Sequence, residues 1–141
     1  MFCTAILLYG CEAWTVTPKL EKSLNGCYTR MLRTVLNINW RQHIPNKTLY
    51  GKLPKIGDKI ATRRMQLAGH CFRHPELAAS SLILWEPTHG RRGRGRKRKT
   101  YLDIMKSDAG VVGTDELKNC MHNRDNWRIR TRSRQSSRPG R

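Results

Sequence analysis

Acidic residues are scarce in this chain of 141 residues: 10 Asp and Glu stand against 28 Lys and Arg. The shortage bears first on chemistry. Two-metal phosphoryl transfer needs paired carboxylates at apolar-flanked strand ends, and no such pair occurs. Asp103 and Asp108 fall on one short predicted helix but do not share a face. There is no Gly-rich phosphate loop ahead of a helix and no nucleophile elbow. The expectation is a chain with no catalytic residues, no cofactor and no small-molecule substrate.

Long apolar runs are also missing. The N-terminal MFCTAILLYGC falls well short of the ~18 residues of a membrane span. It lacks a basic leading region and Glu12 follows it closely, so it reads as the buried end of a helix and not as a secretory signal. The 5 cysteines are odd in number and widely spread, which is no disulfide framework. They fit a reducing compartment, nuclear or cytoplasmic, with Cys used as a small apolar residue. Cys71 and His74 have the spacing of half a zinc site. The other half is lacking, because His89, Cys120 and His122 are distant and irregularly spaced, so no metal is expected.

What the chain has in excess is positive charge. A formal net charge of +18 opposes compaction unless a polyanion offsets it. Nucleic acid is the first candidate, ahead of an anionic membrane surface or a merely solvated basic face. The charge peaks at GRRGRGRKRK, residues 90–99, where 13 consecutive positions from Pro87 to Lys99 carry no core-forming side chain. Such a run cannot pack and is expected to be a disordered linker. Arg91, Arg92, Arg94, Arg96, Lys97, Arg98 and Lys99 are its candidate phosphate contacts. Arg94-Gly95-Arg96 has the core of a minor-groove hook, but Lys97 stands where that motif needs Pro. The composition equally fits a nuclear-import signal.

Helical periodicity organises the rest. Thr17 and Pro18 predict a helix start, and Leu20, Leu24, Cys27, Met31 and Val35 carry the period toward an end at Asn37 or Asn39. Asn46 to Gly51 reads as a short helix. A longer one, about 57–73, divides into an apolar half (Ile56, Ile60, Ala61, Met65, Leu67, Ala68, Cys71, Phe72) and a polar half (Asp58, Lys59, Thr62, Arg63, Gln66, His70, Arg73). Arg63, His70 and Arg73 make a second candidate nucleic-acid patch on its cationic stripe. Arg64 breaks the partition, and three outcomes suit it: reaching to an edge, pairing with a carboxylate, or facing a partner. Residues 77–86 suggest a helical turn and a strand-like piece. Tyr101, Leu102 and Met105 share a face of a short helix ending at Gly110, and one last helix runs from a Thr114 cap through Trp127. The expected fold is all-α: a helical unit over 1–86, the linker 87–99, a helical hairpin over 100–130, and a disordered basic tail over 131–141.

Several stretches in order resemble the C-terminal region of the reverse transcriptase of non-LTR (LINE-type) retrotransposons. Leu7-Leu8-Tyr9-Gly10-Cys11-Glu12-Ala13-Trp14 resembles that family's LLYGxExW signature. Cys27-Tyr28-Thr29-Arg30-Met31-Leu32-Arg33 resembles the helix that follows it, and Trp40 its W-containing link. Arg63-Arg64-Met65-Gln66-Leu67-Ala68-Gly69-His70 with Arg73 resembles RRxxxxGHxxR. Gly93-Arg94-Gly95-Arg96-Lys97-Arg98, with Leu102-Asp103 and Asp108, resembles GRPR…D…D with its Pro replaced. Arg124-Asp125-Asn126-Trp127-Arg128 resembles the closing RDxWR. The resemblance implies thumb-like helices over 5–80, and a basic run and terminal hairpin that hold an RNA template or DNA. The family's catalytic palm, with its aromatic-Ala-Asp-Asp motif, and its endonuclease domain are not in these residues. It therefore implies a truncated copy, with the tail after Arg130 as unrelated sequence. Three functions follow as expectations. The first is a non-catalytic nucleic-acid-binding fragment. The second is the thumb of an RNA-directed DNA polymerase that needs an upstream palm. The third is a non-functional retroelement remnant.

Overall fold

In the computed structural model, residues 2–51, 53–86, 95 and 99–136 are described, and among them all regular structure is helical, with no strand. The chain is all-α. A short helix, α1 (Phe2–Leu7), leads through Gly10, in the left-handed region at φ 65, to a 3-10 turn at Cys11–Ala13. The long helix α2 (Pro18–Val35) begins as its sequence predicts: the Thr17 hydroxyl accepts from the Leu20 amide at 3.3 Å and Pro18 takes the first turn. It ends where Asn37 adopts φ 51. The Ile38 amide then donates to the Arg33 carbonyl at 2.9 Å and the Asn37 amide to Thr34 at 3.1 Å, a left-handed C-terminal cap with Asn in place of the usual Gly.

A second 3-10 turn (Trp40–Gln42) and α3 (Asn46–Tyr50) lead into α4 (Ile56–Arg73), the spine of the fold. Then come α5 (Ser80–Ile83), α6 (Tyr101–Ala109), α7 (Thr114–His122) and α8 (Arg124–Ser136). The strand-like piece expected within 77–86 is instead the single turn of α5. Helix α6 carries a full capping box: Thr100 accepts from the Asp103 amide at 3.1 Å, and Asp103 returns by accepting from the Thr100 amide at 2.9 Å. Gly110 closes it at φ 69.

The last helix expected from Thr114 is in fact two. Asn123 interrupts it because its side-chain oxygen accepts from the Asp125 and Asn126 amides, each at 3.1 Å, and so starts a new helix. Thr114 makes no side-chain cap; Gly113 holds that position. Helix α8 runs on to Ser136, so 131–136 are helical where composition alone suggests a tail. Residues 137–141 lie outside the described residues, as do 87–94 and 96–98 of the expected linker.

Two apolar clusters share α4. Its first half gives Ile56 and Ile60 to a cluster with Leu8, Cys11 and Tyr28. Its second half gives Met65, Ala68 and Cys71 to a larger one with Leu102, Met105, Leu117, Met121 and Trp127. The C-terminal helices thus pack on α4 as well as on each other. Contact with the first 3-10 turn, α2, α5, α6, α7 and α8 surrounds α4 on several sides. This is why Asp58 and Thr62, on its polar half by periodicity, are buried, while Leu67, on the apolar half, is 39% exposed.

Candidate nucleic-acid interface

The cationic stripe of α4 does not act as one patch. Arg63 and Arg73 are ten residues apart, ~15 Å along the axis. Arg63 Nη1 donates to the Leu8 carbonyl at 3.1 Å and lies 4.0 Å from a Glu12 carboxylate oxygen, which ties it to the N-terminal segment. His70 is exposed, its ring 4.5 Å from that of His74, whose Nδ1 is 2.9 Å from a Glu76 carboxylate oxygen. Arg73 turns the other way, toward α7 and α8, and its Nη1 donates to the Met121 carbonyl at 2.8 Å. Arg64 pairs with Asp108 in the interior, which decides among the outcomes open to it.

In the basic run, Lys99 is exposed and lines a cavity of about 250 Å³ with Val16, Glu21, Ile60, Asp103 and Asp108. Arg91, Arg92, Arg94, Arg96, Lys97 and Arg98 lie outside the described residues.

What the fold does bring together is Arg73 with Arg124, Arg128 and Arg132. These four line a cleft of about 300 Å³ between α4 and α8, with Gln66, Trp127 and Thr131. Burial, with the charge of Arg124 beside it, holds the Arg73 guanidinium below its usual proton affinity. The cleft exists because α4 and α8 cross closely at Gly69. A Cβ there would collide with the Trp127 indole, whose Nε1 donates to the Met65 carbonyl at 2.8 Å. Arg124, Arg128 and Arg132 follow at i, i+4 and i+8, one stripe of α8. That spacing was available in the sequence. It stays hidden while Arg132 counts as tail and Arg124 and Arg128 as the ends of a helix.

Six of the ten carboxylates have partners, while Glu21, Glu86, Glu116 and the exposed Asp125 of α8 form no ion pair among the described residues. Asp108 holds Arg64, Asp103 caps α6, and Glu12 lies by Arg63. Asp115 pairs with Lys118, Glu76 with His74, and buried Asp58 is itself partnered. Among the described residues no carboxylate forms an ion pair with Arg124, Arg128 or Arg132. Arg130, on another face, donates to the Ala109 carbonyl at 3.0 Å and helps close the end of α6.

Cys71 is buried in the larger core, and among the described residues no three His, Cys, Asp or Glu side chains converge as a metal site. None of the described helices is long and apolar enough to cross a membrane. No protein-family model, no curated protein and no solved structure matches the chain.

Proposed function

We propose that this chain binds nucleic acid with little sequence preference, as a non-catalytic C-terminal fragment of a retrotransposon reverse transcriptase. One observation carries the binding reading: the fold gathers the guanidiniums of Arg73, Arg124, Arg128 and Arg132 around one cleft that no described carboxylate lines. A surface so arranged attracts polyanions through counterion release, which rewards phosphate contact and ignores base identity. The order of the motifs from Leu7 to Arg128 supports the retroelement origin.

The test is a salt titration with duplex DNA, an RNA hairpin and a hybrid duplex. Affinity should fall steeply with salt. Changing Arg91, Arg92, Arg94, Arg96, Lys97, Arg98 and Lys99 to Gln should flatten the log–log slope by up to about 6 on duplex DNA if all seven touch phosphate. An unchanged slope moves the contacts off the linker. Indifference to all three probes at low ionic strength overturns the reading.

A second reading, the thumb of a polymerase completed by an upstream palm, is favoured by the outer side of α2. A mainly apolar groove of about 550 Å³ runs there past Cys27, Met31, Leu32, Val35 and Leu53. Val35 is 81% exposed, as a face made to be covered would be. An open palm reading frame upstream of Met1 would support it, and stop codons there would count against it.

A further inference from the structure

We propose that the cleft between α4 and α8 is a built phosphate site that grips the backbone of a single nucleic-acid strand, with Arg73, Arg124, Arg128 and Arg132 as its ligating groups. The proposal rests on the nucleic-acid reading above and narrows it to named residues that the basic run does not include.

The walls carry the argument. Arg124, Arg128 and Arg132 are spaced by one helical turn and a fraction, so their attachment points lie ~6 Å apart in a row ~12 Å long. Arg73 faces that row from α4. One of its nitrogens is fixed on the Met121 carbonyl, which orients the guanidinium and leaves its other donors available. The floor offers an anion nothing repulsive. Trp127 has its indole N–H committed to Met65, and the Thr131 hydroxyl donates to the Trp127 carbonyl at 2.7 Å. Gln66, exposed on the α4 side, adds a neutral amide. No carboxylate lines the cleft.

Four guanidiniums around one space repel each other; burial first, and then the neighbouring charge of Arg124, weakens the proton hold of Arg73. An anion reverses the sign of the interaction. Guanidinium forks match the several oxygens of a phosphate in bidentate fashion, and a row of them matches a repeating anion better than a single carboxylate. Among the described residues Trp127, which is buried, is the one apolar residue lining the cleft, so the cleft itself offers a bilayer no apolar surface to take up. A cleft of about 300 Å³ is too small for the body of a duplex, whereas the backbone of one strand can lie along its row of arginines.

The experiment separates a fitted site from mere charge. In the full chain, the variant R124K/R128K/R132K keeps every charge and loses the forks; R92K/R94K/R96K makes the same exchange in the linker. The probe is a labelled single-stranded oligonucleotide. The cleft variant should bind about tenfold more weakly with an unchanged salt slope, since the charge count is kept. The linker variant should bind as the parent chain does. Equal behaviour of the two variants overturns the site. So does a polyglutamate that competes as well as the oligonucleotide at matched charge.

A second measurement needs no mutation. Oligonucleotide should protect Arg124, Arg128 and Arg132 from phenylglyoxal, and inorganic phosphate at the same phosphate concentration should protect them far less. Equal protection by inorganic phosphate assigns the cleft to a free anion and overturns the strand reading. No protection by either leaves no anion site. If the parent chain binds no oligonucleotide at all, the broader nucleic-acid reading fails. Binding that persists while the cleft stays reactive defeats only the site.

Discussion

Arg64 on α4 and Asp108 on α6 form a buried ion pair across 44 residues of sequence, with Nε and Nη2 of the guanidinium donating to one carboxylate oxygen at 2.9 and 2.6 Å. Arg64 is 5% exposed and Asp108 9%. The third nitrogen, Nη1, donates to the Trp14 carbonyl at 2.7 Å. One side chain therefore fastens the N-terminal segment, the spine and the C-terminal helices together. Removing one partner of a buried pair strands the other charge in the interior, so D108A should cost about 3–5 kcal/mol. Replacing both by apolar residues removes that stranded charge. The double variant R64M/D108L should thus be more stable than either R64M or D108L, short of the parent because the Trp14 carbonyl loses its donor. Urea midpoints of the four proteins measure the coupling, and additive losses would mean that the pair contributes none.

Thr62 offers a change in the opposite direction. Its hydroxyl is buried beside the same stretch of α4 and, among the described residues, has no hydrogen-bond partner. A buried polar group left unpaired costs about 1–3 kcal/mol relative to an apolar group of the same shape. Val has nearly that shape and loses little as a β-branched residue in place of another. T62V should therefore raise the urea midpoint by an amount equivalent to about 1 kcal/mol. A lower midpoint would show that the hydroxyl has a partner after all, with water the first to consider.

The crossing of α4 and α8 predicts a joint effect on stability and binding. A methyl group at Gly69 would collide with the Trp127 indole, which is itself 3% exposed and cannot swing away without opening the core. Overpacking of this kind costs about 1–3 kcal/mol. Because Trp127 floors the arginine cleft, G69A should also spread its walls. Thermal melting should show the loss of stability, and the oligonucleotide titration a weaker complex at temperatures where the variant is still folded. A variant that melts early yet binds as the parent chain does would separate the crossing from the cleft.

The parts of this fold that were legible in the sequence are those fixed by neighbours a few residues away. Thr17 with Pro18, Asn37 and Gly110 mark helix ends because caps act within one turn. The apolar arc of α4 was equally plain. Its full burial was not, because a helical wheel shows one face and cannot know that neighbours cover Asp58 and Thr62 as well. The partner of Arg64 was out of reach for the same reason, being set by packing across the chain. Helix α8 did not show as a separate element: its first turn merged with the helix expected from Thr114, and its charged end beyond residue 130 reads as a solvated tail. Contacts of Trp127 with Met65 and of Arg130 with Ala109 hold it in place, and neither has a local signature. The arginine stripe becomes visible only once that helix is granted.

Alkaline pH should unlock the N-terminal segment first. Burial raises the Tyr101 phenol from its ordinary 10.0 to about 12, and its hydroxyl donates to the Glu12 carbonyl at 3.2 Å. Burial also pushes the Cys11 thiol above its ordinary 9.0. Both groups are neutral when protonated, and both hold the proton more tightly when folded. Above the unfolded value the native chain therefore binds more protons than the unfolded one, and stability falls as pH rises. The contribution of Tyr101 is complete below pH ~10 and is lost toward pH ~12; that of Cys11 begins to fade from pH ~9. Lysine deprotonation over the same range relieves the self-repulsion of the net charge and works the other way. The contrast with Y101F isolates the tyrosine, since the lysines are common to both proteins. At pH 8, Y101F should be the less stable by about 1 kcal/mol for the lost hydrogen bond. Its urea midpoint should then fall less steeply than that of the parent from pH 9 to 11. Parallel curves would mean that the phenol ionises in the folded chain as freely as in the unfolded one.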